Sequence, residues 1–219
     1  FYSSEMNAQA SQRLAMETGL RRAVELQEFY LQFQPQIDLV TGRVAGAEVL
    51  LRWHTEQWGD VSPAIFVPVL EDTGLISTVG EWVLRKTCEA YMANQQYLPD
   101  DFLMAVNLSG RQFKGNLLVN FIRNLLEQTG MPAKNLELEI TESLLMENTE
   151  QAVQTLRELS LLGITLAIDD FGTGYSSLSY LKQFPLNVLK IDRTFVRDVT
   201  EDSDDAAIVN AILAMSNSL

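Results

Sequence analysis

The sequence predicts an α/β chain folded as a TIM-like (β/α)8 barrel, and three observations carry that prediction. From Phe29 onward, short apolar or alternating runs take turns with longer runs of helical period, the rhythm of repeated βα units. A length of 219 residues with 47% apolar and 21% charged side chains suits one large domain with a sizeable core. Acidic and amide residues also stand near the ends of five different strand candidates. A doubly wound open sheet would gather such groups at one switch point behind a glycine-rich first turn, whereas a barrel collects them from several strand ends.

Ahead of the first strand, Gln12–Glu28 carries Leu14, Leu20, Val24 and Leu26 among charges and reads as a connecting helix. Six strands are expected: Leu31–Leu39, Val44–Trp53, Leu103–Ser109, Leu136–Thr141, Thr165–Asp170 and Val188–Asp192. Helical patterns separate them over Ala64–Glu71, Glu81–Gln95, Leu117–Gln128, Glu150–Leu161 and Ser177–Gln183, and an amphipathic helix, Asp205–Met215, comes last. Pro63, Gly74, Pro99, Gly130-Met131-Pro132, Gly163 and Pro185 punctuate most junctions. His54–Gly59 reads as a loop.

Composition narrows the function. Sixteen basic against 29 acidic residues give a net charge of −13, the wrong sign for coating a polyanion, so neither DNA nor RNA is expected as a partner. A small phosphate ligand remains compatible if cations or a few arginines invert the field locally. No run of about 18 apolar residues offers a membrane span. The lone cysteine, Cys88, has no disulfide partner within the chain and fits a reducing, cytoplasmic setting. Phe1 is not an initiator methionine, and the segment is expected to be excised from a longer protein, itself open to membrane anchoring through other segments.

The chemistry-bearing residues recur strand by strand: Glu48, Asn107, Glu139 with Glu142, Asp169 with Asp170, and Lys190 with Asp192. Burying an unpaired carboxylate costs several kcal/mol, so the repetition makes sense if these groups converge on cations. All-oxygen donors select hard ions such as Mg²⁺ or Mn²⁺, and the single histidine, His54, excludes a histidine-based zinc site. Two such ions about 3.5 to 4 Å apart are the usual apparatus for splitting a phosphodiester. Lys190 would point into the same cavity to orient water. Arg52, four residues after Glu48 on one strand face, could clamp a phosphate oxygen. Asp169–Leu178 runs from a strand through a glycine-rich turn into a helix, where Ser176-Ser177 can cap.

Glu48-Val49-Leu50-Leu51-Arg52-Trp53, Asn107-Leu108-Ser109, Glu139-Ile140-Thr141-Glu142, the Asp169–Leu178 loop and Lys190-Ile191-Asp192 together resemble the ordered signature of EAL domains, the cyclic di-GMP phosphodiesterases of bacteria. The resemblance runs from about Phe29 to the last residue and includes Gln34-Pro35 and the Phe66–Ile76 stretch. It implies a modified TIM barrel and metal-dependent hydrolysis of one phosphodiester of cyclic di-GMP to linear pGpG. It also implies metal ligands at Glu48, Asn107, Glu139 and Asp169, with Asp170 on the second metal. Catalytic roles fall to Lys190 and Glu48, substrate contacts to Arg52, Gln34 and Asp192, and Glu142 tethers the Asp169–Leu178 loop, which in the family couples the metal site to a homodimer.

Residues 1–7 are similar to the end of a GGDEF domain, which places 8–28 as a linker helix and 29–219 as the EAL barrel, with a GGDEF or sensory domain upstream. Three departures stand out. Val49 replaces the alanine that names the family, on the strand face away from Glu48; the family's His-Pro after Arg-Trp is missing; and Leu219 precedes the family's last two strands, so an incomplete barrel is expected. A non-catalytic cyclic di-GMP receptor and a lysine-dependent lyase remain the alternatives. Structural readings stand beside each site: a Glu48–Arg52 ion pair, a helix cap at Asn107, and Lys190 neutralising Asp192.

Overall fold

Alternation along Leu136-Glu137-Leu138-Glu139-Ile140-Thr141 sends Leu136, Leu138 and Ile140 to one face of a strand and both glutamates to the other. The computed structural model, which describes residues 4–113, 116–147, 149–172 and 181–216, buries every residue of that strand but the last. A strand covered on both faces belongs inside a parallel sheet wrapped by helices.

The chain opens with helix α1 (Ser4–Leu26), followed by β1 (Phe29–Ile37), β2 (Val44–Thr55) and the short β3 (Gly59–Val61). Helices α2 (Pro63–Thr73) and α3 (Leu75–Asn94) lead to β4 (Leu103–Leu108), and α4 (Asn116–Thr129) leads to β5 (Leu136–Thr141). Then come α5 (Glu142–Glu147), α6 (Thr149–Leu161), β6 (Thr165–Phe171), β7 (Val188–Ile191), α7 (Arg193–Arg197) and α8 (Ser203–Ser216). The strands line up as β1-β2-β4-β5-β6-β7, with β3 pairing β2 on the side. From β2 to β7 all neighbours along this line are parallel, the expected α/β winding, while β1 returns antiparallel along β2.

Three differences from the expected elements have local causes. His54 lies inside β2, because that strand runs on to pair with β3 through Trp53, His54 and Thr55 instead of breaking into a loop. Helix α3 starts at Leu75, ahead of the expected Glu81: Gly74, at φ 79°, ends α2 in the left-handed region and serves as the N-cap of α3. Ser77 and Thr78, poor helix formers, hide that start in the sequence. The one-turn helices α5 and α7 are too short to show a period. The expected helix Ser177–Gln183 lies largely outside the described residues.

Leu118, Val119, Ile122 and Leu125 of α4 and Ala152, Val153, Leu156 and Leu159 of α6 recur at helical spacing and close over the sheet. At the other end, Phe29, Trp53, Trp58 and Phe66 form an aromatic cluster with ring centroids 5.6 to 6.1 Å apart, tying β1, β2 and α2 together. Helix α1 docks there through fully buried Leu20 and Ala23. It is one uninterrupted helix across the boundary expected between residues 7 and 8. Among the described residues no helix is long and apolar enough to cross a membrane.

Candidate active site

Parallel strands deliver their C-terminal ends to one rim, so the register decides which side chains meet there. Asn107 of β4 pairs in register with Glu139 of β5, and Glu48 of β2 with Ala105 of β4. The residues from four strands thus meet β7 at a single point. Lys190 Nζ stands 2.6 Å from Glu139 Oε2, 3.3 Å from Asp169 Oδ2 and 3.4 Å from Glu48 Oε2. Asn107 Nδ2 donates to Glu48 Oε1 at 2.9 Å. The sequence-predicted Glu48, Asn107, Glu139, Asp169 and Lys190 therefore form one cluster.

This cluster is electrostatically loaded. Glu139 is 1% exposed, and burial pushes its carboxyl up to about 7 even though Lys190 pulls the other way. Burial lowers the affinity of Lys190 for its proton, but Glu139, Asp169 and Glu48 outweigh that, so the ammonium is held above its ordinary range. One strand repeat below Glu139, Glu137 faces the same interior at 3% exposure, and its carboxyl is likewise raised by burial. Sequence reasoning passed over Glu137, although the period-2 pattern of β5 placed it beside Glu139.

Whether the site suits a hard cation can be judged from its donors. Every donor is oxygen, and the buried Glu139 carboxylate has the Lys190 ammonium at 2.6 Å from Oε2, with Oε1 left without a hydrogen-bond partner. Among the described residues no three acidic, histidine or cysteine side chains already surround one point; the Lys190 ammonium stands between the carboxylates. The donor set fits a hard cation such as Mg²⁺ or Mn²⁺, and the lysine charge offsets the carboxylates in this structure.

The remaining predicted residues take other places. Asp170 sits at a register shift between β6 and β7 with φ 54°, outside the Lys190 cluster, and hydrogen-bonds Asp192. Burial, with Asp169 and Asp192 nearby, raises its carboxyl. Asp192 caps α7, accepting from Thr194 N at 2.8 Å and from the Thr194 hydroxyl. Glu142 is buried at the start of α5 and accepts from Gly172 N at 3.1 Å. The rest of the expected Asp169–Leu178 loop, residues 173–178, lies outside the described residues. Gln34 is exposed, opposite Glu48 in the β1–β2 register.

Arg52 is not paired with Glu48. Its Nε donates to Gln32 Oε1 at 2.8 Å and its Nη1 to the Leu51 carbonyl at 2.9 Å. It borders a cavity of about 440 Å³ that runs from Asn107 and Ser109 along α2 and α3, walled by Leu50, Val67, Pro68 and Ile76. Glu71, absent from the sequence prediction, adds a carboxyl to this wall that burial raises. An apolar slot beside a charged cluster has the build of a small-ligand site.

A barrel-type sheet with carboxylates and a lysine gathered at its strand ends defines an enzyme-like site. The chain belongs to the EAL domain family, whose model matches residues 17–219. The bifunctional diguanylate cyclase/cyclic di-GMP phosphodiesterase MucR of Pseudomonas aeruginosa is 43% identical over 219 residues, all of this chain and 32% of that protein. Cyclic di-GMP phosphodiesterase NbdA of the same organism is 39% identical over 219 residues, again all of this chain and 28% of the relative. The chain thus spans about a third or less of these relatives' length. The solved structure of the PaMucR phosphodiesterase in complex with c-di-GMP superposes with a TM-score of 0.89 at 42% identity, covering 93% of this chain and 83% of that one.

Proposed function

We propose that this domain hydrolyses one phosphodiester of cyclic di-GMP to linear pGpG with Mg²⁺ or Mn²⁺ at a two-metal site. The observation that carries the reading is the convergence of Glu48, Asn107, Glu139 and Asp169 around Lys190. The similarity to MucR, NbdA and the solved c-di-GMP complex supports the ligand. Glu48, Asn107, Glu139 and Asp169 would hold the ions, and Asp170 would join them from its bulge. When bound, such ions offset charge developing on the phosphate and acidify water.

The chain's own residues do the rest. Once the carboxylates turn to a cation, Lys190 keeps donors free to orient a water against phosphorus. Arg52 has an Nη2 left to donate and stands at the slot entrance, where it binds a phosphate oxygen. Gln34 flanks the ligand from β1, and Asp192 from the N-cap of α7 just after β7. The apolar slot takes a base and excludes water from it. Glu142 fixes the loop through Gly172 and links the site to a homodimer. The domain works in the cytoplasm, downstream of a GGDEF or sensory domain of a longer parent chain.

The test is product analysis on the 219-residue chain with cyclic di-GMP and Mg²⁺ or Mn²⁺. Release of pGpG that stops in EDTA is expected. Tight binding in EDTA with no pGpG under any metal would overturn hydrolysis in favour of a receptor.

A further inference from the structure

We infer that Gln112 is a positioning residue for Asn107, seated on Gly80 of α3 and acting through the turn after β4. The inference rests on the reading of Asn107 as a metal ligand. Asn107 is the last residue but one of β4, and beyond Leu108 the β4–β5 ladder gives it no further support. The chain then enters a tight turn: Ser109 O accepts from Gln112 N at 3.1 Å and from Phe113 N at 3.2 Å. The Gln112 side chain closes the turn from the other side, its Oε1 accepting from Ser109 N at 3.2 Å. Both the N–H and the carbonyl of Ser109, two residues past Asn107, are therefore tied to Gln112 where the chain leaves the sheet.

Two glycines make room for this arrangement. A Cβ on Gly80 would fall 1.9 Å from Gln112 Nε2 and 2.4 Å from its Cδ, so only a bare α-carbon lets the amide lie across α3. A Cβ on Gly110 would fall 2.5 Å from Leu144 Cδ1, so α5 presses on the same turn from the opposite side. Neither glycine is among those with positive φ, which means that space, not backbone conformation, is what glycine provides here. The turn is clamped between α3 and α5, and Asn107 is aimed by the clamp.

Because the Gln112 amide is the free end of a flexible side chain, Gly80→Ala displaces it without disturbing the helix. Mn²⁺ binding to the 219-residue chain, read from the EPR signal of the free ion, tests the idea beside thermal melting. Gly80→Ala and Gln112→Met are each expected to raise the Mn²⁺ concentration for half-saturation about tenfold, the usual effect of removing a group that orients a ligand. Melting temperatures should move by no more than about 2 °C. The double variant should be no worse than either single one, since both remove one hydrogen bond. Gln112→Glu keeps the acceptor and should restore binding to within about threefold.

Unchanged Mn²⁺ affinity in Gln112→Met overturns the inference, and a raised KM for cyclic di-GMP in that variant would make Gln112 a substrate contact instead. If Gln112→Glu is as impaired as Gln112→Met, the hydrogen bond to Ser109 is not the cause. A parent chain that takes up no Mn²⁺ would overturn the metal reading of the site itself, a result distinct from parent binding with unaffected variants.

Discussion

Strands β5 and β1 reach the same mouth with opposite solutions to the problem of carrying polar groups. On β5 every residue from Leu136 to Ile140 is buried, including two glutamates. On β1, Gln32, Phe33, Gln34 and Pro35 are all exposed, and the polar groups are neutral amides. A neutral amide in contact with water costs little, so β1 needs no compensating charge. A buried carboxylate does need one, and Lys190 at 2.6 Å supplies it. The mouth thus has two walls: the dry wall carries charge, and the wet wall presents neutral hydrogen-bonding groups to solvent.

The strongest way to break this contrast is to remove the counter-charge. Lys190→Met is expected to lower pGpG release by about 10³-fold. In EDTA it should also cost about 3 kcal/mol of stability, because Glu139 loses its partner while remaining buried. Lys190→Met with Glu139→Gln should recover the stability and none of the activity. Urea melts of the three chains decide: a single variant as stable as the parent would mean that the ionic cluster is not a stability element.

Packing gives the next largest effect. Leu138 is fully buried on β5, and Leu138→Ala should cost about 3 to 5 kcal/mol through lost contacts and a residual cavity. Phe33→Ser on β1, at a residue 45% exposed, should change stability by less than about 0.5 kcal/mol. A large loss in Phe33→Ser would show that β1 is covered in solution and would undo the wet-wall description.

The pH dependence originates in the dry wall. Glu139 has a folded pKa raised from 4.5 to about 7, so between those values the unfolded chain has released a proton that the folded chain keeps. Stability in EDTA should therefore fall as pH rises from about 5 to about 7 and level off above, by at most about 3 kcal/mol from this group. Lys190, whose pKa is raised, contributes stability throughout that window and loses it only at strongly alkaline pH. Mn²⁺ should reverse the slope, since it binds the deprotonated carboxylates. Glu139→Gln should make it shallower in EDTA, leaving what the raised carboxyls of Glu137, Asp170 and Glu71 contribute; an unchanged slope in this variant would assign it to those groups instead.

How far the sequence announced all this also differs between the two walls. Period-2 patterning exposes β5 as a strand and puts Glu137 and Glu139 on one face, and the spacing of Glu48 and Arg52 puts them on another shared face. What patterning cannot supply is the partner across space. The bond from Arg52 to Gln32 joins neighbouring strands and depends on the β1–β2 register. The bond from Asp170 to Asp192 depends on a bulge with positive φ at a residue that is not glycine. Gly80 lies just ahead of the helix expected from the sequence, Glu81–Gln95, and only the fold puts it inside α3 with Gln112 laid across it.

Gln34 tests the wet wall with the smallest expected effect. It sits opposite Glu48 in register yet is exposed, so its amide is solvated, and on the proposed reading it would exchange that water for the ligand. Gln34→Ala should leave stability within about 0.5 kcal/mol of the parent, because nothing buried is lost. A single neutral hydrogen bond exchanged for water is worth about 1 kcal/mol, which corresponds to a rise of about fivefold in KM for cyclic di-GMP with kcat held. A fall in kcat at unchanged KM would instead place Gln34 at the reacting phosphate, on the same footing as the charged residues of the dry wall.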